Sequence, residues 1–211
     1  MDINLLKPVK RDIDSDNSCL FNAIGYLCNK SDFGLNTAKN MRKMIADYVN
    51  NNKDKYNDAI LEMSNNDYQK FITNPEKWGG QIEIDIFSKI FEVEICVFDI
   101  MTLRMDEYGS ENNYENCIYL LYDGIHYDSL VMNMDDGSNP DLDITIFSRE
   151  YKQVLYEKFF EIVKNLNSNN SYVDAYNLVV ICKQCNDIIS GQKSIQDHSK
   201  NTGHINFEQI E

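Results

Sequence analysis

The stretch DSDNSCLFNAIGYL, residues 14–27, decides how the rest of the sequence is interpreted. Polar residues that commonly cap helices precede Cys19, and apolar residues then recur at the spacing of one helix face. Cys19 is therefore predicted to lie in the first turn of a helix. A cysteine in this place is either a small buried residue or a nucleophile, because a helix N-terminus lowers the pKa of a thiol.

Composition and charge limit the kinds of protein that this chain can be. Its 211 residues suffice for one ordinary domain with a small appended unit. The formal net charge of −14 argues against binding to phosphate backbones, because nucleic-acid affinity depends largely on Lys and Arg. No apolar stretch is long enough for a membrane span, and the six cysteines do not form a secreted disulfide pattern. We expect a cytoplasmic protein, with the nucleus as a second location, that binds no nucleic acid.

Hydrophobic periodicity predicts an α+β domain, in which helices precede and follow a group of strands. The Trp-Gly-Gly sequence at 78–80 predicts a tight turn that leads into a helix. Three apolar runs then predict a largely antiparallel sheet, with the polar segment 101–116 as a loop between the first two strands. The predicted elements are helices starting at Cys19, after Thr37, after Gly80 and after Ser148, loops or helix ends at 50–58 and 64–68, and strands at 93–98, 117–122 and 127–132.

The C-terminal part carries the spacing of a Cys2His2 zinc finger, Cys-x2-Cys-x12-His-x5-His. Zn²⁺ prefers four such ligands in a tetrahedron, and here they would be Cys182, Cys185, His198 and His204. The alternative is a chance spacing, but two of the chain's three histidines are committed to it. We expect one structural zinc ion per chain and no metal in catalysis. Only one basic residue, Lys193, lies in 186–197, so the finger is expected to face a protein rather than DNA.

His126 and Asp128 are candidates for the base and the orienting acid of a catalytic centre built on Cys19. Alternation along a strand places both side chains on one face, so the carboxylate can hold one ring nitrogen. Backbone N–H groups of Cys19 and of residues 16–18 are placed to donate to an oxyanion, with Asp16 bracing that loop. On the residues alone, however, a lone cysteine and a strand histidine are more often structural. The sequence does not show that Cys19 and His126 meet.

Three ordered segments, DNSCLFNAI, WGGQIEIDIFSKIFEVEICVFD and LLYDGIHYDSLV, resemble the ovarian-tumour-domain (OTU) cysteine deubiquitinases. The resemblance covers residues 8–148, and the sequence HSKNTGHINFEQ is similar to the end of the C-terminal zinc finger of one OTU subfamily. This resemblance implies a papain-like OTU cysteine protease domain at 1–165, a short helical connector at 166–177, and a Cys2His2 finger and tail at 178–211.

The resemblance also implies an activity and the residues that perform it. A ubiquitin-specific cysteine protease hydrolyses the isopeptide bond at the ubiquitin C-terminus through a thioester on its cysteine. The implied residues are the nucleophile Cys19, the base His126, the acids Asp16 and Asp128, loop support from Asn17 and Ser18, and substrate contacts from Trp78, Gly79, Gly80 and Ile125. For the Trp-Gly-Gly segment, a turn with a core aromatic is the structural alternative.

The implied partners are ubiquitin and polyubiquitin chains. Members of the subfamily act with the AAA ATPase called valosin-containing protein in endoplasmic-reticulum-associated degradation, through an N-terminal ubiquitin-like domain for which this sequence shows no counterpart. A role in protein quality control is therefore an expectation from resemblance alone. Two other classes stay open, an inactive OTU-fold adaptor that binds ubiquitin and a zinc-finger module for protein interaction. Intact Cys19, His126 and Asp128 favour the enzyme.

Overall fold

A computed structural model of the protein describes residues 2–28, 37–174, 179–204 and 206–209. The helices are α1 Cys19–Cys28, α2 Thr37–Asn51, α3 Asp58–Leu61, α4 Asn65–Thr73, α5 Gln81–Phe91, α6 Lys152–Ser168 and α7 Gln192–Thr202. The strands are β1 Lys7–Arg11, β2 Val93–Asp99, β3 Met105–Tyr108, β4 Asn116–Tyr122, β5 Tyr127–Asn133, β6 Asp143–Ile144, β7 Phe147–Ser148, β8 Val179–Cys182, β9 Ile188–Ser190 and β10 Phe207–Gln209. None of these helices has the length and apolar character needed to cross a bilayer.

A seven-stranded sheet runs in the order β1-β5-β4-β2-β3, with β6 beside β5 and β7 beside β4. Its pairs are antiparallel except for the central pair of β2 and β4, where Ile95 lies opposite Ile118 in parallel register. The chain makes this parallel pair because β3 turns back along one edge of β2 before β4 pairs with the other edge. The predicted largely antiparallel sheet therefore contains one parallel pair at its centre.

The sheet separates two hydrophobic cores. Val93, Ile95 and Val97 of β2 pack with α1, α2, α4 and α5, whereas Cys96 and Phe98 of the same strand pack with α6. A strand covered by helices on both faces has apolar side chains pointing in both directions, which explains its nearly continuous apolar sequence. The helical face built from α1 and α5 is the one that carries Cys19.

Two segments contain more regular structure than was predicted, namely 64–68, expected to be a loop or a helix end, and 101–116, expected to be a loop. A helix, α4, begins at Asn65, with the Ser64 side chain accepting the N–H of Asp67 and with Tyr68 and Ile72 buried. Apart from Phe71 its other side chains are polar, so its amphipathic pattern is easily mistaken for a loop. Within 101–116, β3 forms an edge strand whose sole neighbour is β2, which allows a polar sequence.

The C-terminal region forms a second, much smaller unit. Strands β8 and β9 form a hairpin, β10 pairs with β8, and α7 lies beside them. The buried residues here are Val180, Cys182 and Ile189, with Ile195 and Phe207 packed against them. The helical part of the expected connector ends with α6 at Ser168, and its residues 175–177 lie outside the described part of the chain.

Candidate active site and metal centre

Cys19 is the first residue of α1, and its side chain is largely buried. The thiol sulfur accepts hydrogen bonds from the backbone N–H groups of Leu20 and Tyr127. Tyr127 directly follows His126 in the chain. Helix α1 therefore brings the cysteine against the start of β5. The segments that carry Cys19 and His126 therefore meet, although most of the domain lies between them in the chain.

The ionisation of Cys19 differs from the sequence-based expectation. Burial raises the pKa of this thiol, and the nearby carboxylates of Asp16 and Asp123 raise it further, while the two backbone N–H groups oppose the change. The expectation of a pKa lowered by the helix N-terminus is therefore wrong for this structure, because desolvation outweighs the helix dipole. A base that accepts the thiol proton is thus required for nucleophilic attack.

The imidazole and carboxylate expected to form the base are in contact. His126 Nε2 lies 3.1 Å from Asp128 Oδ1, which leaves Nδ1 for the thiol side. Asp128 Oδ1 also accepts a hydrogen bond from the N–H of Ile13 at 2.9 Å, and Asp128 Oδ2 accepts one from the Lys10 ammonium at 2.8 Å. The carboxylate is therefore held from three directions and cannot rotate freely away from the ring. Nothing in the sequence pattern pointed to Lys10.

The turn that carries His126 is organised by Asp123. The Asp123 carboxylate accepts the N–H groups of Ile125 at 3.0 Å and of His126 at 2.7 Å. Its backbone carbonyl accepts the N–H of Val173 at 2.6 Å, so the chain after α6 packs directly on this turn. Gly124, with φ of 112°, permits that approach, because a Cβ there would collide with the carbonyl oxygen of Val173.

The loop before Cys19 is braced by its own side chains. Asp16 Oδ1 accepts the N–H of Ser18 at 2.7 Å, and the Asp16 carbonyl lies 3.3 Å from the amide nitrogen of Cys19. Asp16 thus supports the loop, whereas Asp128 holds the imidazole. The Ser18 N–H and the Asp16 N–H, which bonds to the Asp14 carbonyl at 2.8 Å, are already bonded and are not available to an oxyanion, which corrects two of the expected donors. The Asn17 N–H has no partner among the hydrogen bonds of the described residues.

Trp78 is joined to the cysteine loop through a side-chain contact. Its indole Nε1 donates to Asn17 Oδ1 at 2.6 Å, and Asn17 Nδ2 donates to Glu76 Oε2 at 3.3 Å. The Trp78 side chain is 42% exposed, so it is not the core aromatic of the structural alternative. Trp78 instead forms part of the wall beside the nucleophile.

The two glycines after Trp78 serve packing and capping. A Cβ on Gly79 would lie 2.9 Å from side-chain atoms of Leu20 and Phe21, so only glycine lets this segment pack on α1. Gly80 is the N-cap of α5 and donates its N–H to Glu83 Oε2 at 2.6 Å. These contacts fix the turn against the helix that carries the nucleophile.

A cleft of about 510 Å³ lies above Cys19. The cysteine loop and the Trp-Gly-Gly turn form one side, and the half-exposed Ile125 lines the cleft from the histidine turn. Two acidic side chains, Asp99 and Asp106, also line it. Arg104 also lines the cleft and pairs with Asp106 at 2.8 Å, so Asp99 supplies most of its negative charge. The cleft gives an extended chain access to the thiol.

The four residues with zinc-finger spacing converge on one point, with all ligand atoms within 4.8 Å of one another. Cys182 Sγ lies 3.5 Å from His204 Nδ1, Cys185 Sγ lies 3.4 Å from His198 Nε2, and the two ring nitrogens are 3.3 Å apart. A zinc tetrahedron with ordinary Zn–S and Zn–N bonds has N–N edges of about 3.3 Å and S–N edges of about 3.5 Å. The donor set therefore fits Zn²⁺ in both chemistry and spacing.

The thiol of Cys182 is prepared for metal binding. Burial opposes its ionisation, but the backbone N–H groups of Gln184 and Cys185 outweigh it, and the pKa of Cys182 is lowered to about 6. A thiolate is the form that binds zinc. A structural role for the metal is consistent with four protein ligands, which leave no open coordination position.

Comparison with known proteins identifies both units. Residues 14–130 match the family described as OTU-like cysteine protease, and residues 177–210 match the C-terminal C2H2-type zinc finger of ubiquitin thioesterase OTU1. The chain belongs to the OTU-like cysteine protease family. This confirms the resemblance and the α+β fold class that were inferred from the sequence.

Several relatives align along nearly the whole chain. The OTU-domain-containing deubiquitinating enzyme 2 of Arabidopsis thaliana is 41% identical over 204 residues, covering 95% of this chain and 97% of that protein. Ubiquitin thioesterase OTU1 of Xenopus laevis is 35% identical, covering 96% of this chain and 66% of its own length. Human ubiquitin thioesterase OTU1 is 36% identical, covering 94% of this chain and 56% of its own length. This chain therefore spans about three fifths of the length of those two relatives.

A solved structure of an OTU domain in complex with ubiquitin is similar in both fold and sequence. Its TM-score is 0.67 at 36% identity, and the match covers 79% of this chain and 90% of the solved chain. In the OTU domain described here, sequence reasoning missed Lys10, Asp123 and Val173. The Asp-Gly pair at 123–124 is a turn signal that predicts capping by Asp123, whereas Lys10 and Val173 have no local signal.

Proposed function

We propose that this chain is a deubiquitinase that hydrolyses the isopeptide bond between the ubiquitin C-terminus and a lysine amine. The observation that carries the proposal is the placement of Cys19 against the segment that bears the His126 and Asp128 pair, at the floor of a cleft in an OTU fold. The likeness to an OTU domain solved with ubiquitin supports the choice of substrate.

The reaction follows from these groups. His126 accepts the thiol proton of Cys19, and the thiolate attacks the carbonyl carbon of the terminal glycine. As the tetrahedral intermediate collapses, the C–N bond breaks and the imidazolium gives its proton to the leaving lysine amine. Water, deprotonated by His126, then attacks the thioester and releases the ubiquitin carboxylate and the Cys19 thiol. Asp128 holds the ring in one orientation through both steps.

The N–H groups of Asn17 and Cys19 are the proposed oxyanion donors. Both residues line the cleft, and the Asn17 amide has no competing partner in the described part of the chain. The weak 3.3 Å approach of the Cys19 amide to the Asp16 carbonyl gives way readily to a negatively charged oxygen. Two donors that are aimed at developing charge stabilise the transition state more than the ground state.

Recognition of ubiquitin is proposed to use the part of the cleft next to Cys19. Trp78, Gly79, Gly80 and Ile125 line it, which suits a glycine-rich chain end because larger side chains would be excluded. Asp99 offers a carboxylate to a basic residue that precedes those glycines, whereas the Asp106 carboxylate is already paired with Arg104. Polyubiquitin chains present the same C-terminal peptide and are proposed as substrates on the same ground.

The proposal is tested with a ubiquitin probe whose C-terminus carries an electrophile. The wild-type chain is expected to form one covalent adduct, and Cys19→Ala none. Asp128→Asn is expected to slow labelling by about 100-fold, since a misoriented base costs transition-state stabilisation, whereas Asp16→Asn affects only loop support and slows it less. A wild-type chain that binds ubiquitin without forming an adduct would be an adaptor, and the enzyme assignment would be wrong.

The finger is proposed to bind one structural zinc ion per chain through Cys182, Cys185, His198 and His204. Metal analysis of protein purified without chelator is expected to give one equivalent. Protein of full activity with no bound metal would contradict the proposal.

The cellular setting is a proposal that rests on likeness to the OTU1 ubiquitin thioesterases. We place the chain in the cytoplasm, with the nucleus as a second location, acting in protein quality control that includes endoplasmic-reticulum-associated degradation. The valosin-containing-protein ATPase is the corresponding partner. Co-sedimentation of the purified chain with that ATPase tests the partnership directly, and separate migration at micromolar concentrations would remove it.

A further inference from the structure

Arg42 is the largest fully buried side chain of the described residues, with 2% exposure. It lies on α2 beside the apolar stripe that includes Met41 and Ile45, and therefore points inward. Its guanidinium carbon stands 4.0 Å above the ring of Phe21, one of the first residues of the nucleophile helix. A buried cation in this place requires an explanation, because desolvation of a charge is costly.

The guanidinium donates hydrogen bonds to two separate segments. Nη2 bonds to the Asn17 carbonyl at 2.8 Å and to Ser18 Oγ at 3.0 Å in the cysteine loop. The same nitrogen bonds to the Lys77 carbonyl at 2.7 Å, and Nη1 bonds to the Ile72 carbonyl at 3.0 Å. Arg42 thus joins the loop before the nucleophile to the segment that leads into the Trp-Gly-Gly turn.

These contacts are poorly suited to a purely stabilising role. All hydrogen-bond acceptors are neutral, and Nε is buried without a partner. In the described ranges no carboxylate lies within ion-pair distance, so Asp16 and Glu83 act on the charge only from farther away, and burial still lowers the pKa of Arg42. A buried charge without a carboxylate often stabilises a fold less than an apolar side chain of the same size would. The arrangement does, however, fix the geometry of the loop, since a planar guanidinium holds several acceptors in set directions.

The peptide between Asn17 and Ser18 is held at both ends. Arg42 holds its carbonyl, and the Asp16 carboxylate holds its N–H. Trp78 holds the Asn17 side chain at the same time. With this peptide plane fixed, the amides on either side of it, those of Asn17 and Cys19, have a defined direction at the cleft.

We propose that Arg42 is a positioning residue for the reaction, which aligns the Asn17 and Cys19 N–H groups for the oxyanion by fixing the Asn17–Ser18 peptide. This inference rests on the proposed hydrolase function. Arg42 does not touch the substrate. Its effect is transmitted through the loop, so it is expected to change the chemical step rather than substrate binding.

The decisive comparison uses Arg42→Lys, which keeps the charge but loses the planar set of donors. Hydrolysis of ubiquitin with a fluorogenic C-terminal amide should show kcat lowered by about 10-fold to 100-fold with KM changed by less than about 3-fold. Alkylation of Cys19 by iodoacetamide forms no oxyanion, so its rate should stay within about 2-fold of the wild type. Arg149→Lys is the matched control, because Arg149 pairs with the buried Glu94 at 3.1 Å and packs on the α6 side of the sheet.

The outcomes are distinct. An Arg42→Lys variant with wild-type kcat overturns the inference, and so does a parallel fall in hydrolysis and alkylation, which would indicate damage to the thiol itself. If Arg42→Lys does not fold, Arg42→Met is measured per folded molecule, and kcat equal to that of Arg149→Lys overturns the inference. Absence of hydrolysis by the wild-type chain would instead refute the proposed function.

Discussion

The OTU domain and the zinc finger of this chain are stabilised in different ways. In the OTU domain, a sheet with helices on both faces buries two large apolar clusters. In the finger, the buried residues are Val180, Cys182 and Ile189, and one of these three is itself a metal ligand. The described residues of the finger bury too little apolar surface to stabilise it alone, so we expect the metal to supply most of its folding free energy.

The largest effect is expected from removing one zinc ligand. Cys182→Ser should reduce bound zinc from one equivalent to none and abolish amide protection against hydrogen exchange throughout the finger. The thermal transition of the OTU domain should be unchanged, and hydrolysis of a minimal ubiquitin substrate should stay within about 3-fold of the wild type. A finger that keeps its protected amides without metal would show that its small core is sufficient.

Truncation of a core side chain in the OTU domain should destabilise that domain and leave the finger unchanged. Phe159 of α6 is fully buried against Tyr119 and Phe147, so Phe159→Ala should lower the free energy of unfolding of the OTU domain by about 3–5 kcal/mol. Zinc content should remain one equivalent. Leu5→Ala, at a side chain that is 84% exposed, is the control and should change stability by less than about 0.5 kcal/mol in denaturant unfolding. Loss of zinc in Phe159→Ala would mean that the two units do not fold independently.

The two units should respond to acid at different pH values. Burial disfavours the charged form of Asp143, but hydrogen bonds from Arg11, Tyr26 and Asn133 prevail and hold its pKa below the usual 3.8. A lowered folded-state pKa gives stability that is present above the unfolded value and is lost as the pH falls through the folded value. The OTU domain therefore keeps this contribution to its stability until the pH is below 3.8. The stability lost there should be smaller than the stability lost in Phe159→Ala.

The finger should respond at a higher pH. Protons compete with zinc for the two thiolates and the two imidazoles of the site, groups that accept protons at a higher pH than a carboxylate does, so zinc should be released before Asp143 is protonated. A zinc-sensitive dye and circular dichroism in one titration would measure both events. Loss of zinc and of the OTU helices at the same pH would contradict the prediction that the two units respond to acid separately.

The smallest effect is expected where the two units are joined. Val173→Pro removes the N–H that bonds to the Asp123 carbonyl, which loosens the histidine turn, and kcat should fall by about 3-fold to 10-fold with little change in KM. Val173→Ala keeps the N–H and is the control. Equal rates for the two variants would show that the connector does not help to position His126.

The sequence predicted those parts of the molecule that depend on local spacing. The helix at Cys19, the four zinc ligands and the pairing of His126 with Asp128 each follow from residues close together in the chain. The polar helix α4 and the edge strand β3 were missed, because their apolar residues are few and their form depends on neighbours distant in sequence.

The same limit applies to the candidate site. Arg42 lies on the next helix after the nucleophile, and its carbonyl partners at 72 and 77 lie beyond a further helix. Lys10 reaches Asp128 only because β1 pairs with β5. No periodicity or motif encodes such contacts, since they arise when distant segments pack. The raised pKa of Cys19 was missed for the same reason, because burial is a property of the folded domain.

The pairing of β1 with β5 also determines when the chain becomes reactive. Lys7 lies opposite Asn133, so β1 waits for a partner strand from the far end of the OTU domain. Such long-range pairing is formed late and slowly during folding. On the ribosome, Cys19 therefore emerges as an ordinary thiol, and it meets its base only after β5 has been translated and the sheet has closed. A nascent chain of this protein is thus inert toward ubiquitin conjugates until its catalytic domain is complete.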